Sequence, residues 1–432
     1  MKVLYPKQEE AYSFFVKTLK DGKNTIDTSA VGTGKTVVAA HIGKELNRPI
    51  AVICPKAVIP AWERELKESG INPIFVLNYE KLRTGNTPHM SKRGKKLMKW
   101  YLPEGTLVLV DEIHKCKGAY TQAAQLIISL INKGYLIHGM SATACEDPTE
   151  MRAIGYMLGL HGLNKKPDGR LSWYNWMKAN GCAQDQWNQW RLMSRKKLSV
   201  IKEKIYGVRG HRLTVEDFPD SFRDNRVFIE PTQFSKTDKI IKAYDELGIT
   251  PAIIEAFILD RKSLTDSGYA IVDILRARQL AESFKVHDLA EIAQDLVNQG
   301  NSVVIFVNFT DSVKALSEQL KCGRIEGSQS AEERQKTIDD FQEDKEHVVV
   351  ANIAAGGTGI SLHDINGNRP RISLISPSFS AKNHLQTLGR IHRNGAKSDA
   401  IQKILVAVGS IEEKVMETID KKLKNLEALH GQ

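Results

Sequence analysis

The segment Ser29-Ala-Val-Gly32-Thr33-Gly34-Lys35-Thr36 constrains this chain more than any other. It follows the short segment Thr25–Thr28 and precedes an apolar helical run, Val37–Leu46. Strand, glycine loop and helix together make a phosphate cradle. Glycines let backbone N–H groups converge on phosphate oxygens, and the helix N-terminus adds a favourable dipole. In that reading Gly32, Thr33 and Gly34 wrap the phosphates, Lys35 reaches the β- and γ-phosphates, and Thr36 holds Mg2+. The ligand it predicts is ATP. The general pattern has Gly where this chain has Ser29.

A cradle of this kind belongs to a parallel α/β sheet, and the rest of the sequence supplies two. Short β-branched runs alternate with amphipathic stretches in two regions. In the first the strands are Ile50–Cys54, Phe75–Leu77, Leu107–Val110 and Leu136–Met140. In the second they are Val303–Val307, Val348–Ala351, Ile372–Ile375 and Ile404–Val408. Between them, about His161 to Tyr206, lie four of the six tryptophans: Trp173, Trp176, Trp187 and Trp190. Each pair is spaced i, i+3 and can share a helix face, so a small helical insertion is expected. Its tryptophans suit a local core better than a base-stacking platform.

Leu107-Val-Leu-Val-Asp111-Glu112-Ile-His114 ends an apolar strand in two carboxylates. By itself this is a common strand end. Downstream of a phosphate loop it is what hydrolysis requires, with Asp111 on Mg2+ and Glu112 polarising water. Ser141-Ala142-Thr143-Ala144 also follows a strand, and its hydroxyls suit coupling of nucleotide state to movement. In the second region, Arg390 and Arg393 stand i, i+3 in Gln386-Thr-Leu-Gly389-Arg390-Ile-His392-Arg393. On a helix they would share a face, where two guanidiniums grip a triphosphate; alone, the same spacing describes a solvated basic face. A phosphate loop in one half and paired arginines in the other imply an ATP site made by both. Gln8 precedes the loop, and an amide can read the donor and acceptor edge of adenine. The glycine-rich Ala354-Ala-Gly356-Gly357-Thr358-Gly359 lets backbone approach a ligand closely.

In this order the motifs resemble those of superfamily-2 helicases, and more narrowly the Swi/Snf-like translocases of double-stranded DNA. The narrower likeness rests on Val52-Ile-Cys-Pro55-Lys56 followed by Ala61-Trp62-Glu63, on Asn78-Tyr79-Glu80-Lys-Leu82, and on Asp111–His114 continuing to Lys117. It rests also on Arg212 with Leu-Thr-Val-Glu-Asp-Phe-Pro219, and on Ser410-Ile411-Glu412-Glu413. The resemblance implies an α/β fold of two RecA-like parallel-sheet lobes, residues 1–232 and 233–432, with the helical insertion leaving the first. It implies Gln8 and Gly359 beside the nucleotide, and Arg390 and Arg393 as fingers. It makes His114, Ser141 and Thr143 coupling residues, and places Pro55, Lys56, Trp62, Gly357 and Thr358 near nucleic acid or the lobe interface. Ser141–Ala144 departs from the family's Gly-Thr-Pro and looks more like RNA-helicase relatives.

The implied activity is DNA-dependent ATP hydrolysis coupled to movement on duplex DNA. A strand-separating or annealing helicase on branched DNA or RNA uses the same engine. A P-loop switch without a nucleic-acid track is the reading from another class, and arginines within the same chain disfavour it.

Bulk properties agree with this reading. Net charge is +10, which favours a polyanionic partner. No apolar stretch approaches the roughly 20 residues that span a bilayer, so a soluble intracellular protein without a membrane partner is expected. The compact length suits a bacterial or viral source. The five cysteines form no C-x-x-C pair and read as buried small side chains.

Overall fold

The computed structural model describes residues 1–93, 97–145, 147–163, 169–185, 188–219, 221–259, 271–356 and 360–430. Trp187, Gly357, Thr358 and Gly359 lie outside the described residues. The chain forms two compact units, Met1–Asp217 with Lys424–Gln432, and Phe218–Leu423.

The first unit is built on six strands: β1 (Thr25–Asp27), β2 (Ile50–Cys54), β3 (Phe75–Asn78), β4 (Leu107–Asp111), β5 (Leu136–Met140) and β6 (Gly210–His211). Their order is β6-β1-β5-β4-β2-β3, and every pairing is parallel. Strands such as Ile50–Cys54 are buried along their whole length because helices cover both faces of a parallel sheet. Parallel strands bring all their C-terminal ends to one edge. Here β5 lies between β1 and β4, with Met140 level with both Asp27 and Asp111. The segment leaving β5 therefore sits between the phosphate loop and the two carboxylates.

Two insertions decorate this unit. One is a three-stranded antiparallel sheet, Asn86–Thr87, Met90–Arg93 and Leu97–Trp100. The other is the tryptophan-rich region, which is only partly helical. Helices Trp173–Ala179 and Leu198–Ile205 flank an antiparallel pair, Cys182–Gln184 with Trp190–Leu192. Trp173 and Trp176 share a helix face as expected and are buried, within one core cluster that also holds Met177 and Ile154. Trp190 is on a strand instead, because its backbone pairs with Gln184.

The second unit carries β7 (Asn225–Thr232), β8 (Ser302–Val307), β9 (Gly323–Ile325), β10 (Val348–Asn352), β11 (Arg371–Ile375) and β12 (Ala400–Ala407). The order is β7-β12-β11-β8-β10-β9, again all parallel. Because β7 pairs with β12 along its full length, residues 218–232 belong with this unit rather than with the first lobe. Among the described residues no helix is long and apolar enough to cross a membrane.

Candidate nucleotide site

The phosphate loop leaves β1 and enters the helix Lys35–Leu46. Gly32 has φ 87° and Gly34 φ 88°, a left-handed backbone that L side chains rarely adopt. A Cβ on Gly34 would meet the Gln8 amide nitrogen at 2.4 Å, so the cradle excludes a side chain there. Lys35 Nζ donates to the Ser29 and Ala30 carbonyls at 2.7 and 2.9 Å, which holds the ammonium against the loop. Ser29, the departure from the glycine pattern, has a use: its Oγ accepts the Leu213 N–H at 2.9 Å. Ala30 N–H donates to the Leu213 carbonyl, and Arg212 Nη1 to the Thr28 carbonyl. Arg212 and Leu213 thus splint the loop. Nothing local to the loop signals this partner, which is 184 residues away.

Gln8 is buried against the loop. Its Nε2 donates to the Thr33 carbonyl at 2.8 Å and its Oε1 accepts the Tyr5 N–H. A second N–H and a second lone pair of the amide are the capacity left for a base edge.

Asp111 ends β4. Its Oδ1 accepts the Glu112 N–H at 2.9 Å, and its Oδ2 accepts Trp62 Nε1–H at 3.0 Å. Tyr79 Oη donates to the Asp111 carbonyl at 2.6 Å. Burial, then the charge of Glu112, push the Asp111 carboxyl up to about 6, while Trp62 and Lys35 pull it down. This bond sets Trp62, which the resemblance puts near nucleic acid or the lobe interface, against the Asp111 carboxylate. The indole is 1% exposed, and its one donor serves the carboxylate. Pro55 is also buried, whereas Lys56 is exposed on the short helix Lys56–Val58 that follows β2.

Glu112 adopts φ 53°, a left-handed conformation costly for a residue with a Cβ. Its Oε2 lies 2.9 Å from His114 Nδ1, and the same nitrogen lies 2.8 Å from Ser141 Oγ. Ser141 N–H in turn donates to the Asp27 carbonyl, and Ser141 Oγ accepts the Thr143 N–H. His114, Ser141 and Thr143 are buried. One imidazole therefore joins the strand end that carries Glu112 to the segment beside the phosphate loop.

These groups suit Mg2+ and a nucleoside triphosphate. Among the described residues no cluster of three or more His, Cys, Asp or Glu could hold a metal alone. A hard dication held by one carboxylate, one hydroxyl, waters and phosphate oxygens is the arrangement Mg2+ prefers. Asp111 and Thr36 are the residues that would hold it, supplying charge neutralisation at the phosphates.

In the second unit Arg390 and Arg393 converge, but not on a helix. The helix Ala381–Leu388 ends at Gly389, and a turn carries both arginines. Arg390 Nη1 and Arg393 Nη2 donate to one acceptor, the Ile360 carbonyl, at 3.1 and 2.8 Å. Burial lowers the Arg393 guanidinium to about 10, which leaves it charged at neutral pH. The strand-end loop after β8 is fixed by Glu282, which accepts the Asn308 and Phe309 N–H groups. Sequence does not mark that carboxylate, since a lone acid on a helix gives no signal.

Comparison with known proteins now defines the class. Residues 285–395 match the helicase conserved C-terminal domain. A protein of Acanthamoeba polyphaga mimivirus, whose name describes an ATP-dependent RNA helicase, is 30% identical over 99% of this chain and 83% of its own length. The Arabidopsis thaliana protein CHROMATIN REMODELING 24 is 20% identical over 96% of this chain but only 45% of itself. The chain thus spans most of the viral relative and under half of the plant one. The fold is similar to that of Saccharomyces cerevisiae Dbp5 bound to RNA and ADP BeF3, with TM-score 0.50, 13% identity and coverage of 98% and 92%. The chain belongs to the superfamily-2 helicases, with Swi/Snf-like relatives, and is an ATP-hydrolysing enzyme.

Trp62 gives a test of the Asp111 geometry. Trp62→Phe keeps an aromatic ring but removes the donor that holds the Asp111 carboxyl down. The carboxyl then rises further, more of it is protonated at a given mildly acidic pH, and the acid limb of ATP hydrolysis moves to higher pH. Rates measured from pH 5.5 to 9 check this. Superimposable profiles for parent and variant would contradict the assignment of Trp62 as a positioning residue.

Proposed function

We propose that this chain couples ATP hydrolysis to movement along duplex DNA. The observation that carries the motor reading is the Glu112–His114–Ser141 chain of contacts. A hydrolytic carboxylate wired to a neighbouring strand end can report nucleotide state to the segments that follow it. Lys35 and Thr36 bind phosphate and Mg2+, Asp111 shares the ion, and Glu112 orients and polarises water. Arg390 and Arg393 serve as arginine fingers. His114, Ser141 and Thr143 transmit the state of the site. Lys56 meets the nucleic-acid backbone, and so do Gly357 and Thr358, while Gly359 lies beside the nucleotide.

Duplex DNA is favoured by the Swi/Snf-like motifs from Pro55 to Leu82 and by the chromatin-remodelling name of the plant relative. A second reading, an RNA helicase, is favoured by Ser141-Ala142-Thr143 and by the name of the viral relative. A motor on any sequence needs phosphate contacts, which position without specifying bases. The two readings separate in one pair of assays. A duplex translocase displaces a third strand from a DNA triplex on ATP hydrolysis while leaving a tailed RNA duplex intact. Unwinding of the RNA duplex without triplex displacement would replace the first reading by the second.

A further inference from the structure

The antiparallel sheet inserted between β3 and β4 is not explained by the nucleotide site. Its inner face is anchored. Met90, Met98 and Trp100 are buried, and Trp100 Nε1 donates to Ser129 Oγ at 2.8 Å on the helix Gln122–Asn132. Its outer face is polar and basic. Lys99 pairs across the hairpin with Ser91, and Lys99 Nζ lies 5.4 Å from the centre of the Tyr101 ring. Tyr101 is 50% exposed, and its Oη shares a 2.8 Å hydrogen bond with Ser91 Oγ. Lys92 Nζ donates to the Arg83 carbonyl at 3.1 Å, tying the hairpin to the end of the helix Tyr79–Thr84. On that helix Lys81 and Arg83 are exposed.

The charge here is lopsided. From Lys81 to Pro103 the sequence has seven lysines and arginines and no aspartate or glutamate; Glu80, exposed on the same helix as Lys81 and Arg83, and Glu104 flank that stretch. Among the described residues, Lys81, Arg83, Lys92 and Lys99 have no ion pair with a carboxylate, although other lysines of this unit do, as in Lys20 with Glu45. A folded element on which Lys81, Arg83, Lys92 and Lys99 lack a carboxylate ion pair keeps a repulsive energy that a polyanion would relieve.

We propose that this hairpin, with the helix before it, is a second nucleic-acid-binding element that grips the phosphate backbone. Lys81, Arg83 and Lys99 make the contacts, Lys92 fixes the hairpin to the helix, and Tyr101 holds the Lys99 stem over the outer face. The element rests on the nucleic-acid reading of the whole chain. It follows β3, so its helix starts from the same sheet edge as Lys56, and it lengthens the track that the lobe offers. Its ligand is backbone phosphate, because lysine and arginine charges meet phosphate oxygens and carry little base information.

The test is equilibrium binding of the full chain to a fluorescent DNA duplex across a salt series, with single-stranded DNA and RNA of the same length as further arms. The variant is Lys81→Gln/Arg83→Gln/Lys99→Gln, and a charge-retaining Lys81→Arg/Arg83→Lys/Lys99→Arg variant runs beside it. Nucleotide affinity of each serves as the folding control. The neutralised variant binds the duplex more weakly, and the slope of log affinity against log salt shrinks by about 0.9 for each phosphate no longer neutralised. The charge-retaining variant keeps the parent slope. If the parent binds and the neutralised variant shows the same affinity and slope, the hairpin is no binding element and the motor reading survives. If the parent binds none of the three nucleic acids even at low salt, the motor reading itself fails and the hairpin proposal falls with it.

Discussion

Glu112→Gln is expected to bind ATP with near-parental affinity and to hydrolyse it slower by about 10²–10⁴-fold, the range a positioned general base contributes. The amide keeps the size of the carboxylate, and it can still bond to His114, which lies 2.9 Å from Glu112 Oε2. What it loses is the negative charge that polarises water. The left-handed backbone at this residue, φ 53°, is unchanged by the substitution, so the loop geometry is preserved. Lys35→Ala is the contrasting variant. Its ammonium bonds the Ser29 and Ala30 carbonyls, so its removal weakens both phosphate binding and the loop. Nucleotide binding measured beside single-turnover hydrolysis separates the two. Hydrolysis by Glu112→Gln at the parental rate would remove Glu112 from the chemistry.

The second large effect is at the arginines. Arg390→Ala and Arg393→Ala are each expected to leave nucleotide affinity largely intact and to lower turnover by about 10³–10⁵-fold, as arginine fingers do in related phosphoryl transfers. Both guanidiniums bond one carbonyl, that of Ile360, so either can remain anchored when the other is truncated. Their effects on rate should therefore exceed their effects on folding. Arg390 is 2% exposed, and a thermal melt of each variant provides the control. Parental turnover in both single variants would leave the pair as a structural clamp on Ile360.

These expectations can be drawn from sequence because the chemistry is local there. Eight residues, Ser29–Thr36, declare the cradle, and Asp111-Glu112 declare themselves by ending an apolar strand. Ile50–Cys54 and Leu136–Met140 are readable to the residue, since buried parallel strands are continuous apolar runs. Other elements escape a sequence reading for physical reasons. Gly210–His211 and Gly323–Ile325 are two and three residues long and contain glycine, so they have no periodicity. Asn225–Thr232 is an edge strand with Val227, Phe228 and Ile229 exposed, and it includes Pro231, which an edge tolerates but a strand pattern does not suggest. Trp190 has helical spacing yet lies on a strand, because pairing with Gln184 decides its backbone.

Within the site, what sequence does not reveal is long-range. Trp62 and Asp111 are 49 residues apart and meet only because β2 and β4 are neighbours. The resemblance puts the indole near nucleic acid or the lobe interface and says nothing of its partner, whereas a buried Trp N–H needs an acceptor and finds it in the carboxylate. The arginine spacing suggests one helix face, but Gly389 ends the helix first, and the two side chains converge through a turn.

The most direct test of the central claim is ATP turnover by the full chain with no nucleic acid, duplex DNA, single-stranded DNA or RNA, each over a salt series. A duplex-DNA motor predicts stimulation by duplexes of unrelated sequence, greater than by single strands or RNA, and falling as salt rises. Stimulation by RNA alone, by one DNA sequence alone, or by no nucleic acid at all would contradict it.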